Sequence, residues 1–110
     1  MFLNTNIVVS IQYEATHCWP DCPYEDVNFL QYPHLHIFHI ECKKAVTHND
    51  RDIEIIRFAR KIRKHLNDTY NGDLGRRSCE MLAEELILAF KLQYCCVRED
   101  GVHGAEVYAS

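Results

Sequence analysis

The sequence is short of the residues that would make it fibrous or disordered. It holds only 4 glycines and 3 prolines in 110 residues, which excludes a collagen-like repeat and a linker-like chain. It has no long hydrophobic run. The longest, Leu86 to Phe90, is far below the roughly 18 residues of a membrane-spanning helix, so no membrane segment is expected. There is no basic excess: 12 Lys and Arg stand against 16 Asp and Glu, a net charge of −4. Nucleic-acid binding rests on phosphate neutralisation, so a nucleic-acid partner is not expected. The opening residues MFLNTNIVVS lack a basic stretch and a small-residue cleavage pattern, so no signal peptide is read there. The expectation is a cytoplasmic protein.

What is present is ordinary for a globular chain: 47% hydrophobic, 11% aromatic and 25% charged residues. One domain spanning residues 1–110 is expected, with one core. Two residue types are abundant, with six cysteines and seven histidines. In a reducing compartment Cys18, Cys22, Cys42, Cys79, Cys95 and Cys96 read as free thiols, ligands or nucleophiles rather than disulfides. Cys18 and Cys22 resemble half a zinc site, but no second cysteine pair of that kind follows.

Hydrophobic periodicity orders the chain. Ile7, Val9, Ile11, Tyr13 and Ala15 alternate with polar or outward residues, which predicts a strand over 3–17 with His17 on the apolar register. Residues 18–32 contain Pro20 and Pro23 and read as a long loop. Residues 34–47 read as a second strand, antiparallel to the first. Ile55, Ala59, Ile62 and Leu66 form a helical stripe, predicting a helix over about 50–66 capped by Asn49 or Asp50. Residues 67–77, with Asn71-Gly72 and Gly75, read as a turn-rich connector. A second helix is expected over 79–90, with Ser78 as its N-cap and Glu80 in its first turn. Strands at 92–98 and 103–108 flank Asp100-Gly101, a hairpin signal. The expected fold is α+β, in the order ββααββ, with a four-stranded antiparallel sheet and two helices on one face.

The most specific local feature is His34-Leu35-His36. On a strand, residues i and i+2 share a face, so two imidazoles stand side by side. His17 ends the neighbouring strand on the matching register. Three histidines from adjacent strands make a three-ligand zinc arrangement with one open position. His39 faces away from the pair, and His48 and His103 lie in other elements. Glu80 and Glu99 are held at a helix start and a strand end. A carboxylate so placed accepts two parallel N–H bonds from an amidine-like edge such as that of a pterin or guanine. Arg57, Arg60, Lys61, Arg63 and Lys64 read as a solvated helix face. Trp19 and Tyr24 lie in the long loop, as packing or as cover for a ligand.

Several of these segments together resemble one family. Glu14-Ala15-Thr16-His17 resembles the Glu-Ala-Ala-His of the 6-pyruvoyl-tetrahydropterin synthase and 6-carboxy-tetrahydropterin synthase (queuosine-pathway) family. His34-Leu35-His36 is similar to its His-Gly-His, and Asp52-Ile53 to the Asp-Phe that opens its first helix. Ser78-Cys79-Glu80 with Leu82-Ala83 is similar to its Thr-Ser-Glu-x-Leu-Ala. Val97-Arg98-Glu99-Asp100 resembles its Val-x-Glu-Thr, and Ala105 to Tyr108 its closing strand. The matches run in family order over nearly the whole chain. The resemblance implies the T-fold, or tunnelling fold. It implies Zn²⁺ on His17, His34 and His36. It implies a pterin-like ligand held by Glu99 with Ser78, Cys79 and Glu80, and a ring-based homo-oligomer such as a hexamer.

The chain departs from the family pattern at two places. The family's cysteine before His-x-His is absent, since that stretch is Phe29-Leu30-Gln31-Tyr32-Pro33. The Leu-Asp-His-x-x-Leu-Asn segment is also missing. Cys22 is then the first candidate base or nucleophile, and His65 or Asp68 the second. Two functions follow. One is a zinc-dependent carbon–oxygen lyase acting on a pterin or 7-deazapurine-pathway precursor. The other is a zinc-containing protein that binds a pterin or purine nucleotide without turnover.

Overall fold

The computed structural model describes residues 3–110. Along the chain come β1 (Thr5–His17), a short 3-10 helix (Glu25–Gln31), β2 (His34–Val46), α1 (Ile55–Tyr70), α2 (Cys79–Phe90), β3 (Tyr94–Glu99) and β4 (His103–Tyr108). The class is α+β, with one four-stranded antiparallel sheet in the order β1-β2-β3-β4 and three helices. The expected loop over 18–32 is therefore partly helical.

β1 alternates as its sequence does. Val9, Ile11, Tyr13, Ala15 and His17 are buried, and the residues between them face away. Thirteen-residue β2 continues this face through Phe38, Ile40 and Cys42. The two strands pair along their whole length, from Thr5 opposite Val46 to His17 opposite His34. β3 is shorter and joins β2 only from Phe38, opposite Glu99, onward. The far end of the β1–β2 ribbon, with His17, His34 and His36, thus projects past β3 and β4. The first four residues of β3 are covered on both faces, and Arg98 beyond them is exposed. Tyr94, Cys95, Cys96 and Val97 are all buried, because α2 covers one face and Tyr108 and Lys43 lie over Tyr94 on the other.

Both long helices pack on the same sheet face, α1 against β1 and α2 against β3 and β4. The stripe on α1 is Phe58, Ile62, Leu66 and Tyr70, at steps of four. Only Ile62 and Leu66 of the expected stripe are fully buried. Ile55 stands half-exposed at the first turn, and Ala59 is partly buried beside the core. The expected start near Asp50 is also corrected. Arg51 has φ +56, which a helix does not admit, and the Asp52 carboxylate is taken by the Thr47 backbone N–H and hydroxyl at 2.7 and 2.9 Å. Glu54 is the cap instead, accepting from Ile56 N at 2.6 Å and Arg57 N at 3.2 Å. The helix runs to Tyr70 and ends on left-handed Asn71, so most of the expected connector before Asn71 is helical. α2 begins after Ser78, whose hydroxyl accepts from Met81 N at 3.2 Å, as its sequence suggests.

The remaining connector lies alongside the end of β1. Thr16 N donates to Gly72 O, Leu74 N to Thr16 O, and Cys18 N to Gly75 O, at 2.8–2.9 Å. This seam brings residues 74–78 and the start of α2 against the histidine end of the ribbon. All six cysteines are free thiols, and the sulfurs of Cys42 and Cys95 lie 4.0 Å apart within the core. Among the described residues no helix is long and apolar enough to cross a membrane.

Candidate metal centre and adjoining cavity

The strand register assembles the site. His17 and His34 are direct cross-strand partners, and His36 lies opposite Ala15, two residues along the same face. The ring centroids are 4.6, 5.3 and 5.0 Å apart, with the planes steeply inclined to one another. Phe38, next on the inward face of β2, packs edge-on under His17 and His36 at 5.1 and 5.7 Å. One ligand atom from each histidine lies within 4.8 Å of the others, so the group could hold a metal ion.

The hydrogen bonds behind the rings decide what the front nitrogens can do. Nδ1 of His17 lies 2.9 Å from Arg77 O, Nδ1 of His34 2.8 Å from Tyr32 O, and Nδ1 of His36 2.7 Å from Asp100 Oδ2. Carbonyl and carboxylate oxygens only accept, so each Nδ1 is assigned the proton. A neutral imidazole then carries its lone pair on Nε2. All three Nε2 atoms are buried and have no hydrogen-bond partner. Glu99 adds negative charge to the same point. Its Oε1 is 3.4 Å from His17 Nε2 and its Oε2 3.2 Å from His36 Nε2, but neither contact has hydrogen-bond alignment. Three lone pairs and a carboxylate facing one another repel, and a cation between them removes that repulsion. Burial lowers the His17 pKa below its ordinary value, against a smaller opposing pull from the Arg77 carbonyl and Glu99. Burial thus favours the neutral form of His17, the form that ligation requires.

Beside the histidines opens a cavity of about 430 Å³. Its walls include His17, His34, Trp19, Glu99 and the first turn of α2. The expected ligand-binding residues converge here: Glu99, Ser78, Cys79 and Glu80 all line it. Ser78 is engaged as the helix cap, and Glu80 is exposed at the rim. Cys79 is buried, and its thiol lies 3.9 Å from Glu99 Oε1. Burial, with the Glu99 carboxylate next, pushes that thiol up to about 12, so it stays protonated and donates to Glu99. Cys79 thereby supports the carboxylate.

The expected catalytic residues are not brought together there. Cys22 turns away, its sulfur lying 3.7 and 3.6 Å from the carbonyls of Tyr24 and Val27, because the 19–22 turn closes on Trp19 O. Cys18 lines the cavity in its place. His65 packs on Phe90 and lies near Tyr70, and Asp68 pairs with Lys64. Both sit on α1, which continues through the stretch expected to be a connector, and neither lines the cavity. Three other residues of the site were not foreseen. Arg77 supplies a carbonyl to His17, His103 lines the cavity, and Asp100 backs His36. Only Asp100 had a local signal, as half of a turn dipeptide. The basic residues of α1 are exposed, as expected. No protein-family model matches the chain, and neither does any curated protein.

Proposed function

We propose that this chain is a divergent T-fold protein of the tetrahydropterin-synthase type, a zinc-dependent lyase acting on a pterin or 7-deazapurine-pathway precursor. One observation carries the reading: three buried imidazole Nε2 atoms without hydrogen-bond partners belong to one histidine group, beside a cavity whose wall includes His17, His34 and the half-buried Glu99 carboxylate at a strand end. His17, His34 and His36 would hold Zn²⁺, which suits three neutral imidazoles. When bound, Zn²⁺ acts as a Lewis acid on a side-chain oxygen and acidifies neighbouring protons. Glu99 accepts the ring N–H and 2-amino group of the heterocycle, and the Cys79 S–H steadies Glu99. Trp19 and Leu30 supply apolar wall. Cys18, which lines the cavity, replaces Cys22 as the thiol within reach of a ligand.

The second reading, binding without turnover, is favoured by a specific observation: Cys22, His65 and Asp68 lie outside the cavity. A closed ring-based homo-oligomer goes with either reading. Native mass spectrometry with metal analysis tests zinc and any co-purified ligand together. Incubation of the zinc-loaded protein with a reduced pterin, followed by mass spectrometry, separates the readings, since a ligand recovered unchanged supports the binder. Glu99→Gln keeps the shape and removes the charge. It should weaken binding of a pterin or guanine compound by about 1.5–3 kcal/mol, measured by calorimetry. Unchanged affinity would return Glu99 to a turn residue.

A further inference from the structure

The three histidines are not anchored alike. His17 and His34 lean on backbone carbonyls, while His36 leans on a carboxylate. That carboxylate belongs to Asp100, on the hairpin between β3 and β4. We propose that Asp100 is a positioning residue for His36: it holds the ring, fixes the proton on Nδ1 and strengthens Nε2 as a metal donor. This rests on the zinc reading above.

The backbone explains why Asp100 can do this. It lies at φ +54, followed by Gly101 at φ +74, and Val102 N donates to Glu99 O at 3.0 Å to close the turn. Aspartate is among the few non-glycine residues that occupy the left-handed region readily. Its backbone N–H donates to Ile37 O at 2.8 Å, and its Oδ1 accepts from Ile37 N at 2.9 Å. Asp100 thereby clamps β2 one residue past the last β2–β3 pair, Phe38 with Glu99. With Oδ1 committed to Ile37, Oδ2 is left 2.7 Å from His36 Nδ1. A backbone carbonyl would orient the ring equally well. A full negative charge also raises the electron density that the ring delivers through Nε2. The adjacent Glu99 faces the front nitrogens of His17 and His36, so one turn sets both the group behind His36 and the group before it.

A merely structural Asp100 would close the turn and leave the imidazole indifferent to its charge. Two variants and two readouts separate the cases. Asp100→Ala removes both contacts. Asp100→Asn has one acceptor oxygen where the carboxylate uses two, and no charge, while the turn conformation remains open to it. Zinc affinity is measured by competition with a chromophoric chelator. The His36 tautomer is read from side-chain ¹⁵N shifts of the metal-free protein in mildly alkaline buffer. The native chain should show His36 protonated on Nδ1. Both variants should bind zinc about 10–100-fold more weakly, with Asp100→Ala showing mixed tautomers. Zinc affinity of a folded Asp100→Asn within twofold of native overturns the role of Asp100 and leaves the zinc reading standing. His36 protonated on Nε2 in the native chain overturns it as well, even if both variants fail to fold. A native chain with no zinc affinity overturns both.

Discussion

His34 and His39 stand five residues apart on one strand and face opposite sides of the sheet. His34 belongs to the histidine group that could hold a metal ion, while the His39 ring lies beside Gly101 on the other side. His34→Ala should therefore abolish stoichiometric zinc, and His39→Ala should retain it, by elemental analysis of dialysed protein. His17 makes a pH prediction. Its pKa in the folded chain lies below the ordinary value, so the unfolded chain takes up a proton first as pH falls. The contribution of His17 to stability is thus present above the ordinary imidazole value of about 6.5 and is lost as pH falls from there toward the lower folded value. Urea midpoints of the metal-free protein should decline across that window. A midpoint flat between neutral and mildly acidic pH would show His17 to be solvated.

Among the four glycines, Gly104 in the β3–β4 hairpin leaves the least room for a side chain. A Cβ at Gly104 would fall 1.9 Å from the Val97 carbonyl oxygen and 2.6 Å from Arg98 Cα. These are backbone atoms, so the strands would have to separate. Gly104→Ala should cost about 1–3 kcal/mol in denaturant unfolding. Because the same hairpin bears Glu99 and Asp100, it should also loosen zinc. A variant with unaltered midpoint and zinc affinity would mean that the hairpin adjusts without strain. The elements also differ in how far local sequence determines them. Ser78 caps α2 where its side-chain chemistry suggests, because the hydroxyl bond to Met81 is local. α1 starts and ends elsewhere than expected. Asp52, an apt cap by type, is drawn off by Thr47, and the helical stripe extends to Tyr70 because that ring packs on the core.

At the scale of the molecule, β1 and β4 are the edge strands of the sheet. The connector bridges only the histidine end of β1, at Thr16 with Asp73. The face away from the helices exposes Val8, Leu35, Ile37 and Tyr108. Open strand edges are paired or protected in stable proteins, and closed rings are the common outcome for identical chains. Light scattering at micromolar concentration should give a homo-oligomer, with a hexamer as the leading size. A monomer would refute the ring and leave the zinc proposal standing.

Periodicity and short-range spacing suffice for much of this. Alternation along 5–17 places His17 on the apolar register, and the His-x-His spacing puts His34 and His36 on one face, because a strand has period two wherever it is put. The Asp100-Gly101 turn and the Ser78 cap are equally local. The approach of non-local segments is not written in any window of sequence. The β1–β2 register sets His17 against His34, and the seam between β1 and residues 72–75 delivers the Arg77 carbonyl. The hairpin turn brings Asp100 across 64 positions to His36. The same packing turned the Cys22 thiol onto its own loop, put Cys18 on the cavity wall and kept His65 and Asp68 on a helix. Residue type and spacing nominate donors, and only the packing of distant segments decides which of them share a point in space.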